Sequence, residues 1–430
     1  MAARISQDIE LRTVGSKEEQ LTSKTEYNYD VGEYERTGSS FGAFFNIVCV
    51  VAGTGVLQMA YAFTLAGWIS VLITVVSAIL ATYTGSILIK CLYYKGPKHR
   101  LDGYAAIGEA AFGRFGKIFT QIFQYSILLG VSCLYLILTK ISIQDLTNQL
   151  GLHVDSKIWV TTAACLIWIP FATLRTLKEV SWLALFGVIA TIYVVIVIGI
   201  AGFTHLEENQ HQRHETIIYS GLPMGIASIS FCFGGTPVYP HIEQTMKRPK
   251  DWPKVLLYGS ITCCVIYLCA GIFGYYVYGQ SSQSPIFLSL PEGALNTTST
   301  IAITLHVLLA APIMLTSFSM ELEGYFKIST SYRSRTRSFT YRLALRTAIL
   351  IILTIIAMFV KDFGAFMSLV GAISNTMVIF ILPVVCYLKL FNFRRSIFDY
   401  VMCFICIVVG VISCILGTKD AIVALKSLNN

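Results

Sequence analysis

Residues 41–63 read FGAFFNIVCVVAGTGVLQMAYAF, and residues 224–242 read MGIASISFCFGGTPVYPHI. Both stretches are apolar enough to lie in a bilayer, and both are interrupted near the middle. Gly53 and Gly55 flank Thr54 in the first; Gly234-Gly235, then Pro237 and Pro240, interrupt the second. Glycine costs about 1 kcal/mol against alanine inside a helix and lets the backbone leave it. Pro237 lacks the N–H that a continuous helix uses, and its ring clashes with the preceding turn. Helices that open at mid-membrane free N–H and C=O groups that lipid cannot satisfy. A bound zwitterion satisfies both kinds: its carboxylate meets N–H groups and a half-helix N-terminus, its ammonium meets freed carbonyls. One Gly-x-Gly alone reads first as close helix packing. Two breaks at corresponding positions of two five-span halves, one with paired Gly plus Pro, read as the binding site of a secondary transporter.

The rest of the chain fits a membrane protein. Of 430 residues, 55% are apolar and 13% charged, about half the ~25% charge of a soluble domain. The mean hydropathy is +0.66. A helical span needs ~20 apolar residues to cross ~30 Å of hydrocarbon. Eleven such runs are expected: 41–65, 68–93, 119–138, 158–174, 180–203, 221–242, 255–278, 300–325, 343–360, 365–390 and 397–416. Residues 102–113 (DGYAAIGEAAFG) are too short and polar to span, and read as a helix at the membrane surface. Residues 1–40 are polar and without helical period, and are expected to form a disordered cytosolic tail. No basic segment runs directly into an apolar core, so no signal peptide is expected. Residues 417–430 are expected to be a short C-terminal tail.

Charge sets the orientation. The net charge is +8, which in a membrane protein signals cationic cytoplasmic loops and not a nucleic-acid surface. With the N-terminus inside, the inner loops hold twenty Lys and Arg, including Lys95, Arg100, Lys247, Arg248, Arg333 and Arg395. The outer loops and C-terminal tail hold five: Lys157, Arg213, Lys361, Lys419 and Lys426. The C-terminus is then lumenal or extracellular. Asn296-Thr297-Thr298 is an N-x-T glycosylation acceptor on the outer side. Nearly all of the twelve cysteines lie in apolar runs, as small hydrophobes. Cys403 and Cys406 form a C-x-x-C within a span, with no His or second pair beside it, so no disulfide framework, metal site or cofactor is implied. No Walker loop, H-E-x-x-H or nucleophile elbow appears, and an enzyme is not expected.

The segments AGTGVLQMAYAFTLAGW, LDGYAAIGEAAFG, CFGGTPVYPHIEQTMKRP and FMSLVGAISNTMVIFILPVVCYLKL resemble the amino acid/auxin permease family, and its vesicular and vacuolar amino acid transporter branch in particular. The resemblance covers roughly 41–416. It implies an all-α integral membrane protein of the APC-type transporter fold: eleven transmembrane helices in a five-plus-five inverted repeat with discontinuous helices one and six. The first repeat would span 41–203, the second 219–390 and the extra helix 396–416. It implies amino acids as cargo and a vacuolar or vesicular membrane before the plasma membrane. Carried onto this chain, the unwound part of helix one is Ala52, Gly53, Thr54 and Gly55, and that of helix six Phe233, Gly234, Gly235 and Thr236. Asn46 matches an Asn common in the family. This chain departs from its relatives at Ala60, where many have Pro, and at Thr236, where many have His. Cys49 stands where sodium-coupled relatives carry a second Asn, and a thiol is a poor ligand for a hard cation.

Ionisable groups within spans are costly and are candidates for proton coupling. They are His306, roughly two turns inside span eight, and Glu321 and Glu323 near its inner end. His241 and Glu243 near the inner end of span six read more simply as headgroup-boundary residues. Tyr125 in span three is a candidate to line the substrate site. The expected function is a secondary active amino acid transporter working by alternating access and coupled to protons, with the bilayer as its surroundings. The alternatives are a membrane-embedded amino acid sensor and a carrier of auxin-like small organic acids.

Overall fold

Ser39 starts the first helix, its Oγ accepting the Gly42 N–H at 2.9 Å, a cap that satisfies one of the free amides of a helix start. This helix, α1 (Ser40–Ala52), stops at Gly53, and α2 (Val56–Ala66) resumes bent by 47°. The computed structural model describes residues 36, 38–96, 99–173, 181–204, 212–328, 335–391 and 396–427. The tail expected over 1–40 lies, for 1–35 and 37, outside the described residues, as do Lys98, Arg175, Lys178, Arg333, Arg394 and Arg395 of the charge pattern.

After α2 come α3 (Ser70–Leu92), α4 (Tyr104–Gln149), α5 (Ser156–Thr173) and α6 (Ser181–Thr204). The second break separates α7 (Leu222–Cys232) from α8 (Tyr239–Thr245). Then follow α9 (Trp252–Tyr278), α10 (Ala294–Tyr325), α11 (Arg335–Phe359) and α12 (Phe363–Val370). Two π-helical turns, Gly371–Asn375 and Met377–Ile381, carry α12 into α13 (Leu382–Leu390). The last helix, α14 (Ile397–Ile412), passes through a π turn, Ser413–Gly417, into α15 (Thr418–Ser427). Among the described residues, eight helices are long and apolar enough to cross a membrane, and nine if the bent pair α1–α2 is one span; Leu185–Ala201 and Leu222–Cys232 are shorter apolar helices.

Two expectations change in detail. The surface helix at 102–113 is joined to the third span in one element, α4, which turns at Phe112 and at Gly113, whose φ of 64° is left-handed. The residues expected as a C-terminal tail extend the last helix, because Ala421 is fully buried and α15 packs on α12.

The helices surround α1–α2 and α7–α8. Helix α9 packs against α1, α2 and α3; α7 packs against α2; and α10 lies along α4, α5 and α6. Cross-links gather at two ends of this bundle. At one end, Gly38 pairs with the strand-like residues after α8, its N–H donating to Thr245 O and its O accepting from Lys247 N–H, both at 2.8 Å. Ser40 Oγ donates to Asp251 Oδ2 at 2.8 Å. Arg100 Nε donates to the fully buried Glu243 at 2.8 Å. Arg346, 1% exposed, donates to Glu323 at 2.9 Å and to Phe171 O at 2.6 Å, while Arg342 meets the other Glu323 oxygen at 3.0 Å. At the opposite end, Trp68 N–H donates to Glu215 O at 3.0 Å, Gln280 N–H to Arg213 O at 3.3 Å, and Lys140 Nζ to Val360 O at 2.9 Å.

Candidate functional site

The two interruptions face each other. Each is short of internal bonds: in the first, Leu57 and Gln58 N–H return only to Thr54 O and Gly55 O, at 3.2 and 3.1 Å. In the second, Gly234 N–H returns to Phe231 O and Gly235 N–H to Phe233 O, both at 2.9 Å. Helix α2 therefore presents its N-terminal amides, with the positive end of its dipole, beside the carbonyl-bearing end of α7. The segments approach so closely at Gly55 that a Cβ there would stand 2.8 Å from Tyr267 Oη and 3.1 Å from Cys232 Cβ. Only glycine fits without displacement.

A cavity of about 50 Å³ lies where they meet, room for a few water molecules. Thr54 and Gly55 of the first break and Gly234 of the second line it, with Val51, Phe231 and Pro237 beside them. Ile127, Val131 and Tyr135 of α4, Met314 of α10 and Asn375 complete much of the wall. No lining side chain is charged. Polar recognition there falls to backbone groups and to Thr54, Tyr135 and Asn375.

The remaining expected residues sit around this wall. Ala52, Phe233, Gly235 and Thr236 are buried behind it, with no partner for the Thr236 hydroxyl among the described residues and the Phe233 ring edge-on to Tyr267 at 5.1 Å. Asn46 is half-buried within α1. Gly53 faces span eight: a Cβ there would come 3.8 Å from His306 Nε2. His306, 4% exposed, also lies against Gly187 of α6, where an added Cβ would meet its ring at 2.3 Å and Cys49 Sγ at 3.3 Å. The imidazole thus sits where α1, α6 and α10 cross. Tyr125 turns away from the cavity to pack edge-on against Phe318 at 5.3 Å and to hydrogen-bond Glu321. Glu323 is held by two arginines, as described above. Asn296 is 4% exposed in the first turn of α10, its Nδ2 donating to Leu290 O at 3.3 Å and its Oδ1 accepting from Thr300 at 3.3 Å. The nitrogen that a glycan would be attached to is therefore turned inward.

Three residues of the site were not anticipated. Tyr267 of α9, fully buried, reaches both breaks: its hydroxyl contacts Val51 O of α1 and lies 2.5 Å from Cys232 O of α7. A phenol has one proton, so it serves one carbonyl at a time. Gln58 of α2, also fully buried, donates to Gly364 O at 3.3 Å and Ser228 Oγ at 3.4 Å, and accepts from Ser284, joining α2, α7, α12 and the loop before α10. Asn375 Nδ2 donates to Ser230 O at 3.0 Å. An isolated amide or tyrosine in an apolar run carries no periodic signal, although Gln58 and Asn375 stand out as polar interruptions. Among the described residues no group of three or more His, Cys, Asp or Glu is placed to share a metal ion.

The family model for the transmembrane amino acid transporter protein matches residues 36–423. The chain belongs to this family. It is 30% identical over 396 residues to the amino acid transporter AVT1C of Arabidopsis thaliana, covering 89% of this chain and 70% of that protein. It is 29% identical to the amino acid transporter AVT1I of the same plant, covering 90% and 96%. Family members named in this way are transporters and not enzymes, and this membrane protein is an amino acid transporter by family. Among solved structures, a Na⁺-coupled sialic acid symporter in a substrate-bound outward-open state is similar with a TM-score of 0.57 at 14% identity, over 94% of this chain and 93% of that one. MhsT in complex with L-phenylalanine gives 0.56 at 13% identity, over 88% and 99%. At such identities the likeness is one of fold. It places this transporter family member in the same fold as those carriers.

Proposed function

We propose that the protein is a secondary active transporter that moves amino acids by alternating access and draws on a proton gradient. The observation that carries the reading is the meeting of two broken helices at one uncharged cavity. Freed amides at the start of α2 take the substrate carboxylate, and freed carbonyls at the breaks take its ammonium. Helix α9 reaches both breaks through Tyr267, whose single proton goes to Val51 O or to Cys232 O, so movement of one half-helix is felt by the other.

The architecture is eleven spans: α1–α2, α3, α4, α5, α6, α7–α8, α9, α10, α11, α12–α13 and α14. Counting α6 and α7–α8 as spans makes every cross-link described above join segments on one side. Gly38 and Thr245 then stand six crossings apart, Arg100 and Glu243 four, and Phe171 and Glu323 four. The end that carries Arg100, Lys247, Arg248, Arg342 and Arg346 is the cytosolic one by the positive-inside rule. The N-terminus is cytosolic and the C-terminus lumenal, in a vacuolar or vesicular membrane as the motif resemblance implies. The two halves, 41–203 and 219–390, form the inverted repeat.

Proton coupling is assigned to His306. It is a buried imidazole beside the first break, and no hydrogen bond engages its ring among the described residues. Imidazole can both take up and release a proton, the chemistry a proton carrier needs. Adding a proton places a full charge against the hinge of α1, which gives the ion a way to bias the break. Cys49, its neighbour, offers no hard oxygen to sodium.

The test is counterflow in proteoliposomes with the twenty labelled amino acids, followed by uptake under an imposed pH gradient with and without Na⁺. Accumulation is expected to follow the pH gradient, ignore Na⁺ and be lost in His306→Gln while counterflow persists. Uptake that requires Na⁺ and ignores pH overturns the coupling. Failure of all twenty amino acids to exchange overturns the transport reading.

A further inference from the structure

The cavity wall holds one polar side-chain atom that has no hydrogen-bond partner among the described residues. Asn375 is fully buried at the end of the π turn Gly371–Asn375. Such turns recur at functional positions because the extra residue re-aims the side chains around it. Its Nδ2 donates to Ser230 O at 3.0 Å. That bond fixes the amide, since the reversed orientation would set Oδ1 against another carbonyl with no proton between them. Oδ1 therefore points toward Gly234, 2.7 Å from where a Cβ would stand, and no group among the described residues donates to it. Of the residues lining the cavity, Val51, Ile127, Val131, Phe231 and Met314 have no side-chain proton to give, and the hydroxyls of Thr54 and Tyr135 do not reach Oδ1. A buried carbonyl oxygen without a protein donor is unfavourable, and this one lines the cavity between the two breaks.

We infer that Asn375 Oδ1 accepts a hydrogen bond from the substrate's ammonium and selects amine-bearing cargo over acids of the same shape that lack the amine. This rests on the reading that an amino acid enters the cavity, and adds a contact from the π turn after α12 to those of the two breaks. A site built to bond a polar group rejects the analogue without it, because its own atom is then left unpaired. The ammonium has three protons and no lone pair, so it complements an acceptor-only atom. A carboxylate repels it, which sends the substrate's acid group to the opposite, amide-bearing side of the cavity. Gly234 takes part by absence: any side chain there would cover Oδ1.

The test uses the purified full-length protein and ligand-induced thermal stabilisation. The probes are L-leucine, chosen for the apolar lining, and 4-methylpentanoate, which keeps the carboxylate and side chain and replaces the ammonium by hydrogen. Asn375→Leu is expected to weaken leucine by at least about tenfold and leave 4-methylpentanoate within about threefold. Asn375→Asp keeps an acceptor toward the cavity, and its second oxygen, carrying a proton, takes over the donation to Ser230 O, so both ligands are expected within about threefold of wild type. The leucine preference therefore falls in Asn375→Leu and is kept in Asn375→Asp. A preference that falls in both, or in neither, as when a water already serves Oδ1, overturns the assignment. If Asn375→Leu does not fold, Asn375→Ala decides: a lowered preference supports the assignment, and an unchanged or raised one overturns it. A wild-type protein that none of the twenty amino acids stabilises instead removes the amino acid reading on which the assignment rests.

Discussion

The buried cluster of Glu323, Arg342 and Arg346 separates a fastener from a proton carrier, and a double-mutant cycle reads the difference. Arg346 is 1% exposed and divides its guanidinium between Glu323 and the Phe171 carbonyl, lying 5.3 Å over the Phe171 ring. Arg346→Met leaves Glu323 to Arg342 alone, at 3.0 Å and with a more exposed partner, and strips the Phe171 carbonyl of its donor. Glu323→Gln leaves two guanidinium groups crowded without their anion. Removing one member of a buried pair costs about 3–5 kcal/mol. Because Arg342 compensates in part, about 3 kcal/mol is expected for each single change. The double variant removes both charges, so its cost is expected to fall about 2–3 kcal/mol short of the sum. Unfolding in mixed micelles by increasing SDS, followed by tryptophan fluorescence, gives the three values. Additivity within about 0.5 kcal/mol refutes the coupling. If Glu323 is a fastener, the folded fraction of Glu323→Gln retains proton-driven uptake; loss of that drive with binding intact moves Glu323 into the proton path.

Gly234→Ala places a Cβ 2.7 Å from Asn375 Oδ1 and 2.8 Å from Phe231 O, so uptake is expected to fall by about tenfold or more. Gly53→Ala meets only Cys49 O at 3.3 Å and His306 at 3.8 Å and is expected to cost under about 1 kcal/mol; equal losses in the two refute the assignment of Gly234 to the cavity wall. In sealed vesicles, trypsin is expected to cut the segment 327–337 from the cytosolic face, and cleavage from the lumenal face alone reverses the orientation.

Both breaks were legible because glycine and proline act through the backbone, and backbone cost is a property of sequence. Much of the spanning pattern was legible because hydrocarbon thickness sets a length that can be counted, and eight of the described helices, nine with α1–α2 joined, reach it. The facing of side chains was less so. Tyr125 precedes the cavity-lining Ile127 by two residues, but two residues turn a helix by roughly 200°, which sends the phenol to Phe318 and Glu321. Glu323 read as a costly intramembrane acid until Arg342 and Arg346, some twenty residues away, came into contact with it. Asn375 lay within a quoted family motif, yet its meaning depends on the π turn that re-aims it and on Ser230, which holds one end of its amide. Tyr267 looked like one aromatic among many, since only the tertiary structure brings two carbonyls to one hydroxyl.

The pairing of Gly38 with Thr245 and Lys247 is made of main-chain atoms on both sides. A survey that trims side chains one at a time to alanine would pass over Thr245 and Lys247 and register this tie as silent. At Gly38 the same survey would add a Cβ 2.8 Å from Thr245 O and mistake crowding for a lost contact. Proline in place of Lys247, which deletes the donating N–H, or an ester in place of that amide, is what exposes how firmly the entry to α1 is stitched to the exit of α8.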